Sequence, residues 1–191
     1  MSRPARRLPA FVAFTALAAL VLSSCASGIA YRNATRELER GDYAAAALQA
    51  ATSLYHDPKN EKSLDLLVRA YPLAVETLAA ASDEALEGSD RRRWETVADS
   101  WAALHAVNDA ILRLPPLYRK GSKVPVSFEL RWDRELLARA RAAAADNRYA
   151  EASDLMRSGD RRSFREAYES FRLADRYAPG YRDALARAEE A

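Results

Sequence analysis

Few side chains in this 191-residue chain could do chemistry. The single thiol, Cys25, follows an apolar run and a serine pair in "VLSSCASG". A lone cysteine leaves no disulfide within the chain, so any fold must stand on its apolar core. Only His56 and His105 could act as a base near neutral pH. His56 precedes Asp57-Pro58 at an expected helix end, where a cation is favourable against the helix dipole. His105 falls on an apolar helical stripe with Trp94, Val97, Ala98, Trp101, Leu104, Asn108, Ile111 and Leu112. His105 and Asn108 there either line a ligand pocket or form a hydrogen-bonded core pair. No close glycine pair suits a phosphate-cradling loop, no His-x-x-x-His or second cysteine offers metal-ligand spacing, and no Gly-x-Ser-x-Gly elbow is present. The expectation is a non-enzymatic chain without cofactor or metal.

The elements that must hold these residues are helical. Glycines are few, alanine is abundant, and apolar residues recur at three and four positions. Punctuation predicts a first helix from Ile29 to Arg40 and a second from Asp42 to His56. A third is expected over 61–70 and a fourth from Pro72 to Glu87, with Pro72 in its first turn. A long fifth opens at Ser89 or Asp90 and stops before Pro115-Pro116. Alternation at Val124, Val126, Phe128 and Leu130 makes 114–132 an extended loop or short strand. A sixth helix covers 133–157. Ser163 and Glu166 suggest a capping box for a seventh, to Tyr177, and an eighth fills 181–190. Trp94, Trp101 and Trp132 are expected in the core, and Arg91-Arg92-Arg93 at a solvated helix end.

The N-terminus reads as an export leader. Arg3, Arg6 and Arg7 precede an apolar run from Leu8 to Leu22, about fifteen residues and too short to span a bilayer alone. Leu22-Ser23-Ser24-Cys25 resembles the lipobox of bacterial lipoproteins. That resemblance implies removal of residues 1–24, acylation of Cys25 with palmitate-like chains, and a short tether over 25–30. It further implies a cell-envelope, periplasm-facing location on a membrane. Ala26 stands where some Gram-negative lipoproteins carry a retention aspartate, which points to the outer membrane. Losing the leader takes three basic residues and no acid from a chain of 29 Lys+Arg and 27 Asp+Glu, leaving it near neutral. Such a balance is no footprint for nucleic acid.

Two segments share one pattern. In "GDYAAAALQAATSLYHDP" and "SFREAYESFRLADRYAP", Tyr43 and Phe164 lie fifteen residues before Pro58 and Pro179, and Ala46 and Ala167 lie twelve before them. Leu64, Leu67 and Tyr71, together with Tyr31-x-x-Ala34 and Tyr149-x-x-Ala152, keep the spacing of a partner helix. The pattern resembles the tetratricopeptide repeat (TPR). It implies an all-α fold of TPR-like helical hairpins, of α-solenoid type, over 31–191, with a divergent long-helix insert over about 72–132. The last pair needs extra residues, Asp160 to Arg162, in its turn.

TPR-like hairpins stack into curved layers that receive peptides or helices. The expectation is an envelope lipoprotein serving as a protein-protein interaction scaffold or adaptor. The alternative is an accessory subunit that regulates or positions an envelope enzyme such as a peptidoglycan synthase or hydrolase. On the 61–70 helix, Lys62, Asp65 and Arg69 share one face and Leu64, Leu67 and Tyr71 the other, so the charged face is the candidate wall of a partner groove. By the same resemblance Tyr31, Thr35 and Leu38 contribute from the first helix, and Tyr149, Ser153 and Met156 from the last pair.

Overall fold

A computed structural model describes residues 26–191; the leader and Cys25 lie outside the described residues. Those residues form seven helices and no strand. They are α1 (26–39), α2 (Tyr43–His56), α3 (Glu61–Glu87), α4 (Arg93–Leu112), α5 (Arg134–Ser158), α6 (Arg161–Tyr177) and α7 (Ala184–Glu190). The chain divides into two compact units, residues 26–74 with 107–129, and residues 75–106 with 130–191.

In the first unit, α1 is already helical at residue 26, so residues 26–30, expected as tether, are helical and Ser27 and Ala30 are buried. Gly41, at φ +80°, makes the left-handed turn that closes α1. Asp42 then caps α2, its carboxylate accepting the Ala45 N–H at 2.9 Å. Ala46, Ala47, Ala50 and Leu54 are fully buried. The N-terminal ends of α1 and α3 meet α2 at a cluster of hydroxyls. Ser53 Oγ lies 2.9 Å from Ser27 Oγ and 2.8 Å from Ser63 Oγ, and Asn60 Nδ2 donates to Ser27 Oγ. Asn60 also caps α3 by accepting the Ser63 N–H at 3.1 Å.

The third and fourth expected helices are one. α3 runs through Pro72 without a break, although proline cannot donate to the Val68 carbonyl, at a cost of about 3 kcal/mol. Burial outweighs that cost. Leu64, Leu67 and Tyr71 are each at least 96 % buried and contribute about 1.5–3 kcal/mol apiece. The Tyr71 hydroxyl lies 2.9 Å from Asn108 Oδ1 and 3.1 Å from the Glu129 carbonyl, and its ring meets Phe128 edge-on at 5.7 Å. The expected extended stretch holds one isolated antiparallel bridge, Tyr118 to Pro125, about the Gly121 turn. Val124 points to solvent, which breaks the alternation and leaves too short a ladder for a strand.

In the second unit, the Trp101 indole N–H donates to Ser82 Oγ at 3.1 Å, joining α4 to α3. Asp133 caps α5 through the Leu136 N–H, and Gly159 closes it at φ 75°. The cap of α6 is Asp160, not Ser163: its carboxylate accepts the N–H groups of Arg162 and Ser163 and the Ser163 hydroxyl. The helix therefore begins a turn earlier than expected, and Asp160 to Arg162 are its cap and first residues. Glu166 pairs with Arg162 instead of reaching back to the cap. α5, α6 and α7 enclose Ala152, Ala167, Phe171, Ala174, Ala184 and Ala188, with Tyr149, Leu155, Met156, Tyr168 and Tyr181 packed around them. α7 starts at Ala184, later than expected, because Tyr181–Asp183 are spent in a turn with Arg182 at φ 49°.

Candidate functional site

On α3 of the first unit, Lys62, Asp65 and Arg69 are exposed and share a face opposite the buried Leu64 and Leu67, as their spacing requires. Asp65 is engaged: Arg119, from the segment after α4, pairs with it at 2.6 Å. Lys62 and Arg69 make no ion pair among the described residues, so this face is net basic. Tyr31, Thr35 and Leu38 are half-buried on α1, and the Thr35 hydroxyl donates to the Tyr31 carbonyl of its own helix.

The first unit also holds a cleft that sequence reasoning missed. Leu48, Ala51, Thr52 and Tyr55 of α2 face Ala110 and Arg113 across a cleft of about 300 Å³. Tyr55 is 63 % exposed and Leu48 half-buried beside it in the lining. Large apolar side chains left together at a concave surface mark a contact face more often than scattered ones do. Arg113 is exposed and carries no ion pair among the described residues. The cleft thus offers an apolar floor, one aromatic ring and a free guanidinium at its rim. Its signal in the sequence is Leu48, Thr52 and Tyr55 at i, i+4 and i+7, a strip separate from the Ala46, Ala50 and Leu54 core face.

In the second unit, Tyr149, Ser153 and Met156 belong to the packing around Phe171. The Tyr149 ring meets Phe171 edge-on at 5.3 Å and Tyr181 at 5.9 Å, and Arg182 sits over it at 5.0 Å. Its hydroxyl donates to Asp183 Oδ1 at 2.5 Å. That bond lowers the Asp183 carboxyl pKa and raises that of the Tyr149 phenol. Ser153 Oγ donates to the Tyr149 carbonyl, and Met156 packs on the cluster.

The candidate chemical groups are held structurally. His56 is exposed in the last turn of α2, edge-on to Tyr55. His105 sits between Trp132, at 4.7 Å, and Trp101, at 6.2 Å, and its Nε2 accepts the Asp133 N–H at 3.4 Å. Asn108 is fully buried and bonded to Tyr71, so it is the more deeply placed of the two. Of the arginine run, Arg92 pairs with Glu151, Arg93 donates to the Gly88 carbonyl and covers Trp94, and the Arg91 carbonyl accepts from Asn147. This helix end is therefore built into its unit. The only charged side chain in the interior of the described residues is Arg148, 9 % exposed, which pairs with Glu95 at 2.6 Å and Glu151 at 3.0 Å. Burial alone would lower its pKa, but the two carboxylates hold it above the ordinary value. Among the described residues no His, Cys, Asp and Glu group could hold a metal ion, and no helix is long and apolar enough to cross a membrane.

Comparison with family models, with curated proteins and with solved structures found no match to this chain.

Proposed function

We propose that the chain is a lipid-anchored adaptor of the bacterial envelope, non-enzymatic, tethered by acylated Cys25 to a membrane and facing the periplasm, the outer membrane being the favoured one. The observation that carries the adaptor reading is the α2 cleft, where exposed Tyr55 and half-buried Leu48 lie beside an Arg113 with no ion pair among the described residues. Such a surface suits a peptide or helix that brings an apolar anchor flanked by a carboxylate. The net basic α3 face formed by Lys62 and Arg69 favours the same sign of partner. A degenerate TPR-like origin is supported by matched burial in α2 and α6: Ala46 and Ala167 are both fully buried, and Tyr43 and Phe164 are both half-buried.

The test uses the full chain, recovered from envelope extract. Tyr55→Asp with Arg113→Glu changes exposed groups, so stability should move by no more than about 0.5 kcal/mol. Co-purifying protein should be lost while the melting curve stays. Partners retained in full would overturn the adaptor site. If the lost partner is a peptidoglycan synthase or hydrolase, the accessory-subunit reading takes over. In parallel, Cys25→Ala should abolish incorporation of labelled fatty acid; persistent labelling would sink the lipid anchor without touching the cleft.

A further inference from the structure

The C-terminal end of α3 carries charge of the wrong sign for its dipole, and the first turn of α6 is basic apart from its Asp160 cap. The last turn of α3 has no basic residue and bears Glu84 and Glu87, while α6 begins with Arg161 and Arg162 and no acid in its first turn. Helix dipoles disfavour anions at a C-terminus and cations at an N-terminus. Between Ala70 and Asp90 the chain has acidic residues and not one basic residue. Neither feature is needed for packing, since all these side chains are exposed.

Both sets form stripes. At 100° per residue Glu76, Ala80, Asp83 and Glu87 fall within about 60° on α3, and Arg161, Arg165, Tyr168 and Arg172 fall within about 60° on α6. Each stripe runs over twelve residues, eleven steps or about 16 Å at about 1.5 Å per residue. Glu76, Asp83 and Glu87 make no ion pair among the described residues, and neither do Arg161 and Arg165. Glu166, which would neutralise the basic stripe, is taken by Arg162 on the flank of the helix. Arg172 donates only to the Tyr168 hydroxyl, at 2.9 Å, and lies over that ring. Of the other nearby acids, Asp160 is spent on the cap, accepting the Arg162 and Ser163 N–H groups and the Ser163 hydroxyl, Asp175 accepts the Gly180 N–H, and Glu169 lies off the stripe.

The stripes look away from each other. α4 lies between their helices: α3 meets it at Trp101, through Ser82, and α6 meets it at Asp99, which accepts the Tyr177 hydroxyl at 3.1 Å. Asp99 and Trp101 are about 200° apart around α4. Ser82 and Tyr177 in turn lie on the sides of their helices away from the stripes. The acidic and the basic stripe thus lie on different sides of the second unit and cannot meet within one copy.

Laid antiparallel, the two stripes match residue for residue: Arg161 with Glu87, Arg165 with Asp83, Tyr168 with the small Ala80, and Arg172 with Glu76. A parallel register would set Arg165 against Ala80 and Tyr168 against Asp83. The antiparallel register also brings the α6 N-terminus to the α3 C-terminus, so the end of α3 meets the cations its dipole prefers. We propose that the chain associates with a second copy of itself, head to tail, the arginine stripe of α6 docking on the acidic stripe of α3 in the neighbour. Because the two surfaces differ, the contact is heterologous and each copy keeps one stripe open to extend a ring or filament. Exposed ion pairs are individually weak and screened by salt, so the assembly depends on the match of the whole stripe and on ionic strength. This inference does not rest on the α2 cleft or on the lipid.

Sedimentation of the full chain in non-ionic detergent tests it. Oligomers should form at about 0.01 M salt and dissociate at about 1 M. Arg161→Glu with Arg165→Glu, and separately Asp83→Arg with Glu87→Arg, should each weaken association at least tenfold while leaving tryptophan-monitored melting in place. Mixing the two variants should restore assembly, and so should placing all four substitutions in one chain, which also shows that the altered helices fold. A chain that stays monomeric at low salt, or oligomers indifferent to both reversals, would overturn the proposal. So would monomers whose binding to phosphatidylglycerol vesicles is lost with Arg161→Glu and Arg165→Glu, since the stripe would then belong to a lipid surface.

Discussion

Replacing Arg148 by methionine should be the most damaging single exchange of a charged residue in the second unit. The guanidinium is almost fully enclosed and pairs with Glu95, whose side chain is 14 % exposed, and with Glu151. Its Nε finds no acceptor, so the group already bears a desolvation cost that the two carboxylates offset. Arg148→Met leaves Glu95 charged, enclosed and unpaired, and removing one partner of such a pair costs about 3–5 kcal/mol. Glu151 suffers less because Arg92 also holds it, at 3.2 Å. For a chain of this size the loss corresponds to a melting shift of roughly 6–20 °C. Adding Glu95→Leu removes the stranded charge and fills the space with apolar atoms, so the double variant should recover at least half of the loss. The assay is urea unfolding followed by tryptophan fluorescence. Trp94, Trp101 and Trp132 all lie in the second unit, so the signal reports that unit alone. A single-variant cost below about 1 kcal/mol, or a double variant whose cost is the plain sum of the two singles, would refute the reasoning.

Two other exchanges bear on the helices. Pro72→Ala restores a donor for the Val68 carbonyl within a continuous α3 and should stabilise the protein by up to about 3 kcal/mol; no gain in a urea titration followed by far-UV dichroism would mean that the helix in solution starts afresh at that proline. Asp160 has its carboxyl pKa lowered, chiefly by the Ser163 hydroxyl, so its capping contribution is complete above the unfolded value of about 3.9 and is lost as pH falls through the lower folded value. The Arg162 and Ser163 amide resonances should therefore shift only below about pH 4, and Asp160→Asn should abolish that titration; amides that move at the same pH in the asparagine variant would place the cause elsewhere.

Local turn chemistry was readable and long-range pairing was not. Gly41-Asp42, Pro58 with Asn60, and Gly159 punctuate the chain where the helices do end or begin, because each acts through backbone torsion or a capping bond within a few residues. Pro72 misled for the same reason. A proline in a first turn and one inside a helix look alike locally, and only the burial of Leu64, Leu67 and Tyr71 decides between them. The spacing of Ser163 and Glu166 fits a capping box, but the Asp160 carboxylate three residues earlier is the stronger acceptor and takes the cap. Of the candidate site, the exposure of Lys62, Asp65 and Arg69 followed from periodicity, but the Arg119 that occupies Asp65 is 54 positions away. The cleft at Tyr55 was masked by alanine, since a helix with small residues on several faces shows no clear second strip. Arg148 gave no sign of its burial, because its partner Glu95 lies on another helix.

The serine cluster of the first unit decides alignment more than strength. Ala30, Ala34, Ala46, Ala47, Ala50 and Ala51 give α1 and α2 faces of small residues broken chiefly by Leu54, and alanine against alanine packs almost equally well after a slip of one helical turn. Packing alone would leave several near-degenerate alignments. Ser27, Ser53 and Ser63 satisfy one another in only one of them; a slip of about 5.4 Å would strand three hydroxyls away from water, each at about 1–3 kcal/mol. The cluster therefore works as a locating pin, and because its members carry no charge it holds at any ionic strength. A chain with alanine at all three positions would still bury its helices, yet it would populate more than one alignment of them, trading a single native state for a family of similar ones.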